Sequence, residues 1–151
     1  MLQSSTTVTA STEATNYFER LAEVNKGEWL PLYYAAYGSL KEGFQQEDSD
    51  KKDECYKKGL DFINRAKVIK ANESEILTME AYLKLMYISN DAMSRAPSQT
   101  SEAIGLLEKA KALNPNNPRP WFVHGQNTLF TPAFFGGGEN NAKPLLEKAV
   151  S

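Results

Sequence analysis

The segment Ala110-Lys-Ala-Leu-Asn-Pro-Asn-Asn-Pro-Arg-Pro-Trp121 closes one helix, turns, and opens the next. Asn114 to Pro118 is a cluster of turn formers, and Pro120 falls in the first turn of the following helix, where a missing backbone N–H costs little. Upstream, Ala103, Leu107 and Ala110 lie on one helix face. Small residues seven positions apart let a neighbouring helix approach closely, and the leucine between them fills the gap. The same spacing recurs as Gly59, Ile63, Ala66 and as Ala142, Leu146, Ala149. Each of these helices is preceded by one that carries a large apolar anchor and a position suited to close packing: Trp29 with Leu32, Leu77 with Ala81, and Trp121 with Gly125.

Away from these seams the apolar residues keep helical periodicity, as in Tyr17, Leu21, Val24 and in Ile76, Met79, Leu83, Met86, and no segment alternates like a strand. The spacing predicts helices over 12–25, 28–44, 53–70, 75–92, 100–113, 119–131 and 140–150, with connectors at 45–52, 94–100, 114–118 and 132–139. Pro31 and Pro120 suit first turns, and Pro132 follows a helix that it would stop. The fold class expected is all-α, about seven helices forming an α–α superhelix. Residues 76–88 are apolar on nearly every side, so this helix should be the central one. The domain reading is a disordered polar tail over 1–11 and one helical-repeat domain over 12–151, with pairs at about 28–72, 75–115 and 119–151.

This pattern resembles the tetratricopeptide repeat. Trp121, Gly125, Ala142, Leu146 and Ala149 match its positions, as do Ala103, Leu107, Ala110 and Pro115 of the preceding pair. The second-helix motifs are 44 and then 39 residues apart, so the pairs are longer than the family's 34-residue unit. The resemblance implies that the first helix of each pair lines a concave groove. Its register places Leu30, Tyr34 and Tyr37, then Thr78 and Tyr82, then Arg119, Phe122, Gln126 and Leu129 on that surface. Aromatic side chains give large contact area with few rotors to freeze, so the groove is expected to hold a peptide or a partner helix. Family members that clamp a chaperone's C-terminal carboxylate use Lys and Asn where this chain has Leu30, Tyr34 and Thr78, which disfavours that role.

Residues 29–35 and the Phe134-Phe-Gly-Gly-Gly138 loop resemble those of small exported bacterial tetratricopeptide proteins, including lipoproteins that accompany TRAP-type solute transporters. That likeness implies an alternative function: an envelope protein assisting solute transport by binding a small apolar ligand. It also favours a periplasmic or exported location over a cytoplasmic one.

Composition narrows the remaining classes. The 151 residues carry a net charge of -2, so no overall positive field gathers nucleic acid. No apolar run approaches the ~18 residues that suggest a membrane span. Cys55 is the sole cysteine, which rules out an intramolecular disulfide and a thiolate metal cage. Lysines 51, 52, 57 and 58 favour a lowered thiol pKa, but no base is placed beside it, so Cys55 is expected to be a helical bystander. His124, the sole histidine, is expected to pack between helices. Gly136 to Gly138 lacks the preceding strand and the following Gly-Lys-Ser/Thr of a phosphate loop, and reads as a turn. Phe134 and Phe135 are expected to plug the end of the helical stack. The expectation is thus a noncatalytic module without metal or cofactor, whose partner is a protein or peptide. A second expected partner is another copy of the chain, docked end to end beyond Ala149, where no polar capping helix follows.

Overall fold

The computed structural model describes residues 2–151, with side chains described from residue 8 onward. Its elements in order are α1 (Leu2–Val24), α2 (Leu30–Gln45), α3 (Ser49–Ile69), α4 (Ser74–Asn90), α5 (Ala92–Leu113), α6 (Arg119–Phe130), a 3-10 turn (Ala133–Phe135) and α7 (Glu139–Val150). The protein is all-α, with seven α-helices and no strand among the described residues. Each helix packs on the next in sequence, and α4 also touches α2 and α6. None of these helices is long and apolar enough to cross a membrane.

The small-residue seams hold the stack together. Ala66, Ala103 and Ala110 have no solvent exposure, Ala142 is buried, and Ala149 is half-buried at the last turn of α7. A Cβ added to Gly59 would sit 2.7 Å from Leu83 Cδ2, and one added to Gly125 would sit 2.6 Å from Leu146 Cδ2. Both glycines are therefore close-approach positions, of α3 on α4 and of α6 on α7. Trp29 packs half-buried on the first core, Trp121 lies under the Lys111 ammonium at 4.2 Å, and Pro115 is exposed in its turn.

Two cores meet on α4. Leu32, Leu40, Phe62, Ile63, Ile76 and Leu83 belong to the first, between α1 and α4; Leu85, Ile88, Ala103, Leu107 and Val123 belong to the second, between α4 and α6. This double burial explains why α4 is apolar all round.

The helix boundaries depart from expectation in three places, each for a tertiary reason. Helix α1 begins at Leu2, whereas the sequence predicts a polar tail over 1–11; Met1 lies outside the described residues. Its Ser/Thr face is bonded to α2: Thr15 Oγ1 donates to Glu42 Oε1 at 2.7 Å and Ser11 Oγ donates to Gln45 Oε1 at 3.1 Å. Asp48 accepts from the Lys51 amide and starts α3 at Ser49, which shortens the 45–52 connector. The connector expected at 94–100 is helical, with Pro97 inside α5. Arg95 grips both oxygens of Asp53 on α3 and lies 3.7 Å over the Tyr87 ring, fixing the start of α5.

Candidate functional site

Helix α2 carries Tyr34, Tyr37, Lys41 and Phe44 at spacings of three and four, a single stripe. Facing it are Thr78, Met79 and Tyr82 of α4 and Arg119, Phe122 and Val123 of α6. These residues, with Tyr33 and Leu40, line one concave pocket of about 480 Å³. Leu40, Thr78, Met79 and Val123 are buried, whereas Tyr34, Tyr37, Phe44 and Phe122 keep 44 to 48% of their surface exposed. The buried side chains make a floor and the half-exposed rings make walls.

Hydrogen bonds and stacking set the walls. Tyr82 packs against Phe44 with ring centroids 5.9 Å apart, and its hydroxyl donates to Gln126 Oε1 at 3.1 Å. Tyr34 stacks on Phe18 of α1 at 5.2 Å, so the N-terminal helix supports that side. The Thr78 hydroxyl donates back to the Ser74 carbonyl. Arg119 Nη1 donates to the Tyr33 hydroxyl at 2.8 Å and to Glu75 Oε2 at 2.9 Å, tying α6 to α2 and α4. Burial, with the Glu75 carboxylate adding to it, pushes the Tyr33 phenol up to about 12, and burial also raises that of Tyr82. Both therefore stay protonated at neutral pH.

Of the nine residues projected onto the groove, Tyr34, Tyr37, Thr78, Tyr82, Arg119 and Phe122 line this pocket, while Leu30, Gln126 and Leu129 do not. Gln126 serves it indirectly, by holding Tyr82. Tyr33, Lys41 and Phe44 were not projected onto it, although the α2 stripe extends through Lys41 and Phe44.

The other candidates lie elsewhere. His124 accepts a 2.7 Å bond at Nδ1 from Lys111 Nζ, with Glu108 Oε1 3.2 Å away. Burial and the Lys111 ammonium hold its imidazole below the ordinary range, while Glu108 pulls the other way. The unfolded chain, whose histidine titrates at about 6.5, thus binds this proton more readily than the folded chain. The stability this provides is complete above that value and is lost as pH falls from there through the folded-state pKa. Urea unfolding should accordingly show stability rising from about pH 5 to about pH 7, with the increment reduced in His124→Gln. An unchanged increment would assign the rise to other groups.

Cys55 is buried on α3, and burial followed by Glu42 raises its thiol in spite of the nearby lysines. Their ammoniums do not offset the desolvation. Phe134 and Phe135 are 91% and 73% exposed, so they do not plug the stack; the 3-10 turn carries them outward. In the glycine loop, Gly136, Gly137 and Gly138 donate their amides to Ala133, Pro132 and Thr128 carbonyls, which leaves no phosphate cradle. Among the described residues, no group of three or more His, Cys, Asp or Glu is arranged to hold a metal ion.

No family model and no curated protein matches the chain. Among solved structures, the HusA haemophore from Porphyromonas gingivalis is similar, with a TM-score of 0.82 and 28% identity over 95% of this chain and 70% of that one. The expected peptide-binding role is overturned by this finding. The similar protein is named for haem, and the concavity here is a short pocket, not a trough running from Leu30 to Leu129.

Proposed function

We propose that this protein binds a flat, largely apolar macrocycle of the porphyrin class, haem being the natural candidate, and acts as its carrier. The observation that carries this reading is the pocket itself: half-exposed aromatic rings on α2, α4 and α6 around a buried apolar floor. Rings with partly exposed π faces suit a planar aromatic guest, and the volume falls in the range of small-molecule sites, about 300–1,000 Å³. The similarity to a haemophore supports the same class. A carrier of this kind works outside the cytoplasm, which agrees with the exported location favoured above. The helical pairs are then a lengthened variant of the tetratricopeptide architecture, turned from peptide capture to small-ligand capture.

His124 and Cys55, the strongest iron ligands in the chain, are absent from the pocket lining. The hydroxyls of Tyr33 and Tyr82 are already engaged, with Arg119 and Glu75 and with Gln126, and burial raises both phenols, which disfavours their turning to iron. Binding should therefore rest on the ring faces. Titration with haemin and with iron-free protoporphyrin, followed by absorbance and tryptophan quenching, is expected to give affinities within about tenfold of each other, a difference of ~1.4 kcal/mol. If neither compound binds, the reading is wrong. If haemin alone binds, recognition passes through iron and through Met79 or a tyrosine instead.

A further inference from the structure

We propose that the pocket selects carboxylate-bearing macrocycles, with the guanidinium of Arg119 receiving one carboxylate and Lys41 the other. This rests on the porphyrin reading and specifies which chemical form of the ligand is taken and how it is oriented.

The chain as a whole is slightly acidic, with 19 Asp and Glu against 17 Lys and Arg. The pocket has the opposite balance: two cations and no carboxylate among its lining residues. Glu75 pairs with Arg119 from outside the lining, so the uncompensated charge of the cleft is that of Lys41, and an apolar cleft concentrates the field of such a charge toward an anionic guest.

Arg119 is arranged as a receiving group. Both of its bonds, to the Tyr33 hydroxyl and to Glu75, are made by Nη1. Its Nε and Nη2 have no hydrogen-bond partner among the described residues, and the side chain is 59% exposed. An Nε–Nη2 edge is one of the two faces through which a guanidinium accepts a carboxylate with two parallel bonds. Tyr33 and Glu75 are positioning residues that hold the opposite corner. Tyr33 is itself buried, so the anchor is fixed to the core and does not swing on a free side chain.

Lys41 lies eight residues beyond Tyr33 on α2, about 12 Å along the helix axis at ~1.5 Å per residue. Among the described residues it has no ion pair, and its ammonium rests 5.7 Å from the Tyr37 ring. The two cations thus stand at opposite ends of the α2 wall, facing the same pocket. A ring with two carboxylates on one edge would lie with that edge along α2 and its apolar remainder toward Met79 and Phe122.

The test compares iron-free protoporphyrin with its dimethyl ester, which keeps the ring and removes both charges. The parent chain should bind the free acid at least about tenfold more tightly than the ester, and added salt should narrow the gap. Arg119→Met should abolish most of this preference, lowering affinity for the acid several-fold more than affinity for the ester. Arg119→Lys should restore only part of it, because a point charge lacks the fork. Tyr33→Phe, which removes one hydroxyl and keeps the ring, should reduce the acid-to-ester ratio, a result that a purely structural role, lowering both affinities alike, would not give. Equal binding of acid and ester by the parent, or an Arg119→Met loss shared equally by both, overturns the inference and leaves the porphyrin reading standing. Binding of neither compound removes both.

Discussion

Tyr37→Ala combined with Phe122→Ala is expected to weaken porphyrin binding by about a hundredfold. Each lost aromatic platform costs ~1–3 kcal/mol by the measure of other stacked π ligands, and ~1.4 kcal/mol is tenfold. The rings are 44% and 48% exposed and belong to neither buried core, so nearly half of each surface is open to a guest and the fold depends on them little. The melting temperature should therefore move by less than about 4 °C, on the order of 1 kcal/mol for a domain this size. Tyr34 and Tyr82 are poorer choices. Tyr34 is stacked on Phe18, while Tyr82 packs against both cores and is bonded to Gln126, so their loss would mix binding with stability. Unchanged affinity in the Tyr37/Phe122 variant would place the guest elsewhere.

The largest effect on stability should come from Leu83→Ala. Leu83 has no exposure, lies in the first core, and fills the notch left by the missing side chain of Gly59. Removing it leaves a cavity where α3 and α4 approach closest, so the fold should lose about 2–5 kcal/mol. At roughly 2–4 °C per kcal/mol this lowers the melting temperature by on the order of 10 °C. Val68→Ala, at a side chain 88% exposed, should change it little. A Leu83→Ala loss below ~1 kcal/mol would mean that the α3–α4 seam does not organise the stack.

The seams were readable in sequence because close helix contact demands small residues at fixed intervals, and Ala66, Ala103 and Ala110 are fully buried where that spacing put them. Boundaries were harder. Pro97 reads locally as a breaker, and only the contacts of Arg95 with Asp53 and Tyr87 show why the helix continues through it. The Ser/Thr-rich start reads as solvated chain, and the contact that ties its end to the fold, Ser11 with the Gln45 amide, lies 34 residues away in sequence.

Much of the pocket was legible too. A three-and-four stripe on α2 gives Tyr34 and Tyr37, and extending it gives Lys41 and Phe44. Leu30, Gln126 and Leu129, which the same register projects onto the surface, are not among the residues that line the pocket. What was not legible is the kind of guest, because aromatic walls suit a peptide side chain as well as a planar ring. The concavity itself arises from three helices whose spacing no local pattern encodes.

Those three helices give the pocket a mechanical meaning. Its walls belong to α2, rooted in the first core, to α4, shared by both, and to α6, rooted in the second. The Tyr33–Arg119–Glu75 contact is a polar clasp that ties α6 to α2 and α4. A guest bound as proposed would add an apolar rivet through all three, so that peeling the α6–α7 hairpin away would also release it. On that reading loading and rigidity would rise together, and unloading would amount to loosening one end of the stack.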